Sequence, residues 1–170
     1  MIRPIIAGLT AGLLLVGCAT VADTVAHGGH DYPEARSYDV SENAMADVDA
    51  ALTRAAASDK RVLLVMGANW CHDSRALAGW LETERFAALI EAEYELVFVN
   101  IGMPQSGDGH NIAIAQRFGL EDLPGTPNLL VLTSDGTLIN AETATTWRNS
   151  ASREGDAIYD ELVSLANKAA

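Results

Sequence analysis

Six consecutive residues carry most of the chemistry available to this chain: Asn69, Trp70, Cys71, His72, Asp73 and Ser74. An apolar run, Arg61 to Met66, precedes them, and a helix-forming run, Arg75 to Glu82, follows. A buried strand, a short loop and a helix start would put Cys71 where unpaired backbone N–H groups and the positive end of the helix dipole meet. That setting favours a thiolate, the nucleophilic form of cysteine. Ser74 lies three residues on, one turn away on the same face, and can donate a hydrogen bond to that thiolate. It cannot form a disulfide with it. His72, when protonated, favours the thiolate, and Asp73 disfavours it. An acidic residue in a first helical turn also serves the helix dipole and stability alone. Arg75 is a further positive neighbour. No metal site is implied, because three adjacent residues cannot all point at one ion and no other Cys/His cluster completes a ligand set. No cofactor is implied either.

The elements around this stretch must come from one ordinary domain. The chain has 170 residues, 49% of them hydrophobic, which suits a single core and is too short for two. The N-terminus differs from the rest. Arg3 precedes a run of apolar or small residues from Pro4 to Gly17, too short to span a bilayer and right for a signal-peptide core. Leu15-Val16-Gly17-Cys18 matches the bacterial lipobox, which implies cleavage before Cys18 and lipidation of its thiol. An ordinary secretory signal with an incidental cysteine is the alternative. Ala19 at the next position goes with outer-membrane sorting. More than one acyl chain on Cys18 would anchor the protein stably, where a single chain would not.

The expected organisation is a signal peptide over 1–17, a lipidated Cys18 with a flexible tether over 18–40, and a domain over 41–170. The protein would be exported and held on the outer membrane, facing the periplasm. The tether is polar and without periodicity, carries His27-Gly28-Gly29-His30 and Pro33, and would reach roughly 25 Å. Two histidines in a flexible segment fall short of a closed metal site. A formal charge of −12 argues against nucleic acid and against electrostatic adhesion to anionic lipid. With Cys18 lipidated, Cys71 is the single thiol in an oxidising compartment. Such a cysteine is either buried and inert or reactive towards other molecules.

Periodicity sets out the domain. Ser41 is a candidate N-cap for a helix with Met45, Val48, Leu52 and Ala55 on one face. Arg61 to Met66 is a strand buried on both faces, because its apolar run is continuous. The helix after Cys71 runs to Glu82, and Thr83 caps another with Phe86, Leu89 and Ile90 inward. Tyr94 to Ile101 is a second strand, Gly102 to Gly109 a loop, and Asn111 to Phe118 a short helix. Asn128 to Thr133 and Thr137 to Ala141 form a hairpin around Ser134-Asp135-Gly136. Ala151 to Ala169 closes the chain as a helix with Ile158, Leu162 and Leu165 inward. These patterns alone give an α/β fold with a mixed sheet.

The Trp70-Cys71-x-x-Ser74 form resembles the thioredoxin superfamily, in which Trp-Cys-x-x-Cys opens the first long helix. Gly125-Thr126-Pro127, just before a strand, matches that superfamily's Gly-x-Pro motif, whose proline is cis and faces the active cysteine. The resemblance covers residues 43–165 and implies a thioredoxin-like three-layer fold, a mixed central sheet flanked by helices. It makes Cys71 and Ser74 the catalytic positions, flanked by Trp70, His72, Asp73, Thr126 and Pro127. The implied partners are protein or small-molecule thiols and disulfides, with the Thr126 backbone pairing to an extended substrate.

Two departures matter. Dithiol enzymes need a resolving thiolate, and Ser74 cannot supply one. Thioredoxins also bury an aspartate six residues before the first cysteine, where this chain has Val65. Together they imply monothiol exchange, with an external thiol resolving the mixed disulfide. A non-enzymatic module holding peptides at Pro127, and an inert lipoprotein with Cys71 half buried, are the rival readings.

Overall fold

The computed structural model describes residues 32–169. The expected signal peptide, Cys18, and the tether as far as residue 31, with His27 and His30, lie outside the described residues. In chain order the elements are α1 (Ala44–Ser58), β1 (Arg61–Gly67), α2 (His72–Leu81), α3 (Glu84–Glu93) and β2 (Tyr94–Asn100). Then come β3 (Gly102–Met103), β4 (Asp108–Gly109), α4 (Ile112–Arg117), β5 (Asn128–Leu132) and α5 (Gly155–Asn167).

β1 is the centre of the main sheet, whose order is β2-β1-β5. It runs parallel to β2, with Arg61 opposite Tyr94, and antiparallel to β5, with Leu64 opposite Leu130. Helices cover both faces, which is why its apolar run is unbroken. Leu63 and Val65 pack with Leu77, Phe86, Ile158 and Leu162 of α2, α3 and α5. Val62, Leu64 and Met66 pack with Val48, Ala51 and Ile114 of α1 and α4. Each fully buried aliphatic side chain of this kind contributes roughly 1.5–3 kcal/mol relative to exposure. The result is the expected mixed sheet between two helical layers.

Four local features differ from expectation. The N-cap of α1 is Asn43, whose Oδ1 accepts the Ala46 N–H at 3.1 Å, while the Ser41 hydroxyl accepts the Asn43 N–H one step outside. Residues 102–109 are a miniature hairpin rather than an open loop. Gly102 adopts φ 61°, and a Cβ there would lie 2.5 Å from the Asp108 carbonyl oxygen.

The expected second arm of the 128–141 hairpin is not a strand. Leu138 makes one isolated bridge to Leu132. Further along, the buried Asn140 side chain takes over the ladder. Its Oδ1 accepts the Val131 N–H at 2.8 Å and its Nδ2 donates to the Leu129 carbonyl at 2.9 Å. Finally, α5 begins at Gly155, because residues 150–152 form a separate 3-10 turn.

The expected tether also ends earlier than residue 40. Residues 33–38 form a strap docked on the domain. The Ala35 N–H donates to the Arg75 carbonyl at 3.0 Å, and the Tyr38 side chain is fully buried. Gly79 makes room for the strap, since a Cβ there would lie 2.3 Å from the Pro33 carbonyl oxygen. Tyr38 apart, nothing in the strap's composition announces this packing.

Candidate functional site

Cys71 occupies the N-cap of α2, with φ −83° and ψ 126°. The turn before it closes through the Cys71 N–H, which donates to the Ala68 carbonyl at 3.1 Å. β1 delivers the chain to this turn and α2 carries it away. The sulfur therefore stands at the end of the sheet, where the first-turn N–H groups of α2 converge. Cys71 is 7% exposed, and its Sγ lies 3.5 Å from the Thr126 carbonyl oxygen, within reach of an S–H···O bond. The Thr126–Pro127 peptide bond is cis. The two motifs singled out in the sequence thus meet in space. Asn128 braces the same loop, its Nδ2 donating to the Gly125 carbonyl at 2.7 Å. The Thr126 hydroxyl is buried without a hydrogen-bond partner.

Ser74 is fully buried. Its hydroxyl accepts the Ala68 N–H at 3.3 Å, a bond that fastens the turn before Cys71. His72 is exposed, with Nε2 3.3 Å from Asp73 Oδ2. Asp73 is buried, and its other oxygen accepts the Ala151 N–H at 2.9 Å, tying α2 to the turn at 150–152. Trp70 is 49% exposed and donates its indole N–H to the Gly102 carbonyl at 3.0 Å. An apolar ring therefore stands beside an almost enclosed thiol. Arg75 points along the loop, donating to the carbonyls of Asn69 and Trp70.

Sequence reasoning missed Tyr38. Its ring packs edge-on to Phe98, and its hydroxyl donates to the Ser74 carbonyl at 3.1 Å. Burial, and then the nearby Cys71 sulfur when it carries negative charge, pushes the phenol far above its ordinary range, so it stays protonated and keeps donating. Gly67 permits this close approach, since a Cβ there would lie 2.6 Å from Tyr38 Cε1 and 2.7 Å from Ser74 Oγ. The one available signal was a tyrosine within an otherwise polar segment. Among the described residues, no three His, Cys, Asp or Glu side chains gather as a metal site would require.

A cysteine at a helix N-cap, facing a Gly-Thr-Pro loop at the end of a mixed sheet, defines a thioredoxin-like protein. Residues 43–134 match the thioredoxin-like family, and the chain belongs to it. Among solved structures, the chain is similar to one described as the crystal structure of a disulphide isomerase from Xylella fastidiosa Temecula1. The two are 30% identical with a TM-score of 0.70, over 78% of this chain and 98% of the other. No curated protein matches the chain.

Proposed function

We propose that this protein carries out monothiol thiol–disulfide exchange in the bacterial envelope, through Cys71, while lipid on Cys18 holds it at the outer membrane. The observation that carries the chemistry is Cys71 at the N-cap of α2, against the Thr126 carbonyl, with serine at position 74. Similarity to a protein described as a disulphide isomerase supports the same reading. The envelope assignment rests on Leu15-Val16-Gly17-Cys18.

In the first step the Cys71 thiolate attacks one sulfur of a substrate disulfide. A new S–S bond forms to Cys71 and the other substrate sulfur leaves as thiolate. The partial positive charge at the start of α2 stabilises negative charge on Cys71, which favours its departure as thiolate in the second step and tempers its attack in the first. Ionisation also removes the S–H donor from the Thr126 carbonyl, which is then free to accept a substrate backbone N–H, a one-bond strand addition. The Trp70 ring offers apolar surface to side chains around the substrate sulfur. In the second step an external thiolate, or another cysteine of the substrate, attacks the mixed disulfide and restores the Cys71 thiolate. No net oxidation occurs at the protein. Ser74 leaves no internal route for release, so mixed disulfides persist until such a thiol arrives.

The test is reactivation of a scrambled-disulfide substrate in a glutathione buffer. Wild-type protein should accelerate it and Cys71→Ser should not. Equal rates for both would remove the exchange reading and leave a binding module.

A further inference from the structure

We propose that Arg75 and Glu34 are positioning residues for the Trp70–Cys71 loop, so that the strap at residues 33–38 forms part of the reactive site. The inference rests on the exchange reading above. The turn from Ala68 to Cys71 leaves the carbonyls of Asn69 and Trp70 pointing away from any sheet ladder. Arg75 lies one helical turn beyond Cys71, and its Nη1 donates to both carbonyls, at 3.2 and 3.1 Å. Its remaining donors, Nε and Nη2, meet the two Glu34 carboxylate oxygens at 3.3 Å each. A guanidinium fork fixed on one edge by a carboxylate has few ways to turn its other edge, so Glu34 sets where Arg75 points. The two side chains are only 18% and 27% exposed, so solvent screens the pair less than an ordinary surface ion pair.

A second grip acts on the same loop. The Asn69 side chain accepts the Tyr38 N–H at 3.2 Å and donates to the Tyr38 carbonyl at 3.1 Å. The strap thus holds Asn69 by its side chain through Tyr38, and by its carbonyl through Glu34 and Arg75. Loosening either grip lets the turn before Cys71 shift relative to Thr126, on which the 3.5 Å sulfur contact depends.

Two other roles for the pair predict different results. A strap fastener alone would change stability and nothing at Cys71. A bare cation beside the sulfur would have its charge released by Glu34→Gln, which would speed the reaction. Positioning requires the same substitution to slow it.

The experiment measures formation of the mixed disulfide between Cys71 and oxidised glutathione, amide hydrogen exchange of the peptide spanning Ala68 to Cys71, and the thermal midpoint. Glu34→Gln should slow the reaction about threefold and Arg75→Gln about tenfold, with faster exchange at the Cys71 amide in both. Arg117→Gln, which breaks a pair with Asp49 on α1, should change neither. Should Arg75→Gln fail to fold, the near-isosteric Glu34→Gln decides. An unchanged or faster reaction in folded Glu34→Gln, or a lowered midpoint with an unchanged Cys71 amide, overturns the proposal. If the wild type forms no mixed disulfide, the exchange reading fails by itself, and amide exchange still decides the positioning role.

Discussion

The Cys71 sulfur lies 3.5 Å from the Thr126 carbonyl oxygen, a contact between residues 55 apart in sequence. An S–H···O bond of this length is weak, so the contact marks a place for reaction more than a source of stability. Cys71→Ala should therefore cost less than about 1 kcal/mol in chemical denaturation, while abolishing mixed-disulfide formation.

Ser74 stands where a resolving cysteine would. Three residues after an N-cap cysteine, a thiol there would meet the separation a disulfide requires with little backbone movement. Ser74→Cys should form an internal disulfide with Cys71 on oxidation, seen by mass spectrometry without reductant. Long-lived mixed disulfides should disappear. Two free thiols after oxidation would contradict the site geometry. An aspartate at Val65 would enter the packed face shared with Leu63 and Leu129, so restoring the thioredoxin pattern there carries a folding cost.

On the outer edge of β5 the Asn140 carboxamide pairs the Val131 N–H and the Leu129 carbonyl, between backbone bonds to Ile139 and Ala144. Asn140→Ala leaves two buried backbone groups unpaired and should destabilise by about 3 kcal/mol in chemical denaturation. Because β5 follows directly from Pro127, the exchange rate should fall in the same variant.

The reactive motif was legible because it is local: an apolar strand, a short loop and a helix start, with Cys71 at the boundary. Gly125-Thr126-Pro127 was legible only through its match to the superfamily's Gly-x-Pro motif just before a strand. The strap was not, because Tyr38 and Glu34 find partners at Asn69 and Arg75, more than thirty residues away in sequence. Arg75 illustrates the limit. Its charge suggested a thiolate neighbour, yet its guanidinium serves two carbonyls and a carboxylate. Asp73 likewise looked like a helix-dipole residue and also anchors Ala151. The second hairpin arm failed because Asn140 offers the backbone a side-chain substitute for a ladder bond.

Gly79 sits inside α2, where alanine ordinarily gains about 1 kcal/mol in helix propensity. Here a Cβ would collide with the Pro33 backbone, which has no flexible end to move aside. Gly79→Ala should therefore lower stability and expose residues 33–38 to limited proteolysis while the rest of the domain stays folded.

The most direct measurement is mass spectrometry of the folded protein, without reductant, after incubation with oxidised glutathione. A single glutathione on Cys71, removed on adding a small thiol, is the predicted result. A Cys71 that stays unmodified until the protein is unfolded would contradict thiol–disulfide exchange and leave a buried, inert cysteine.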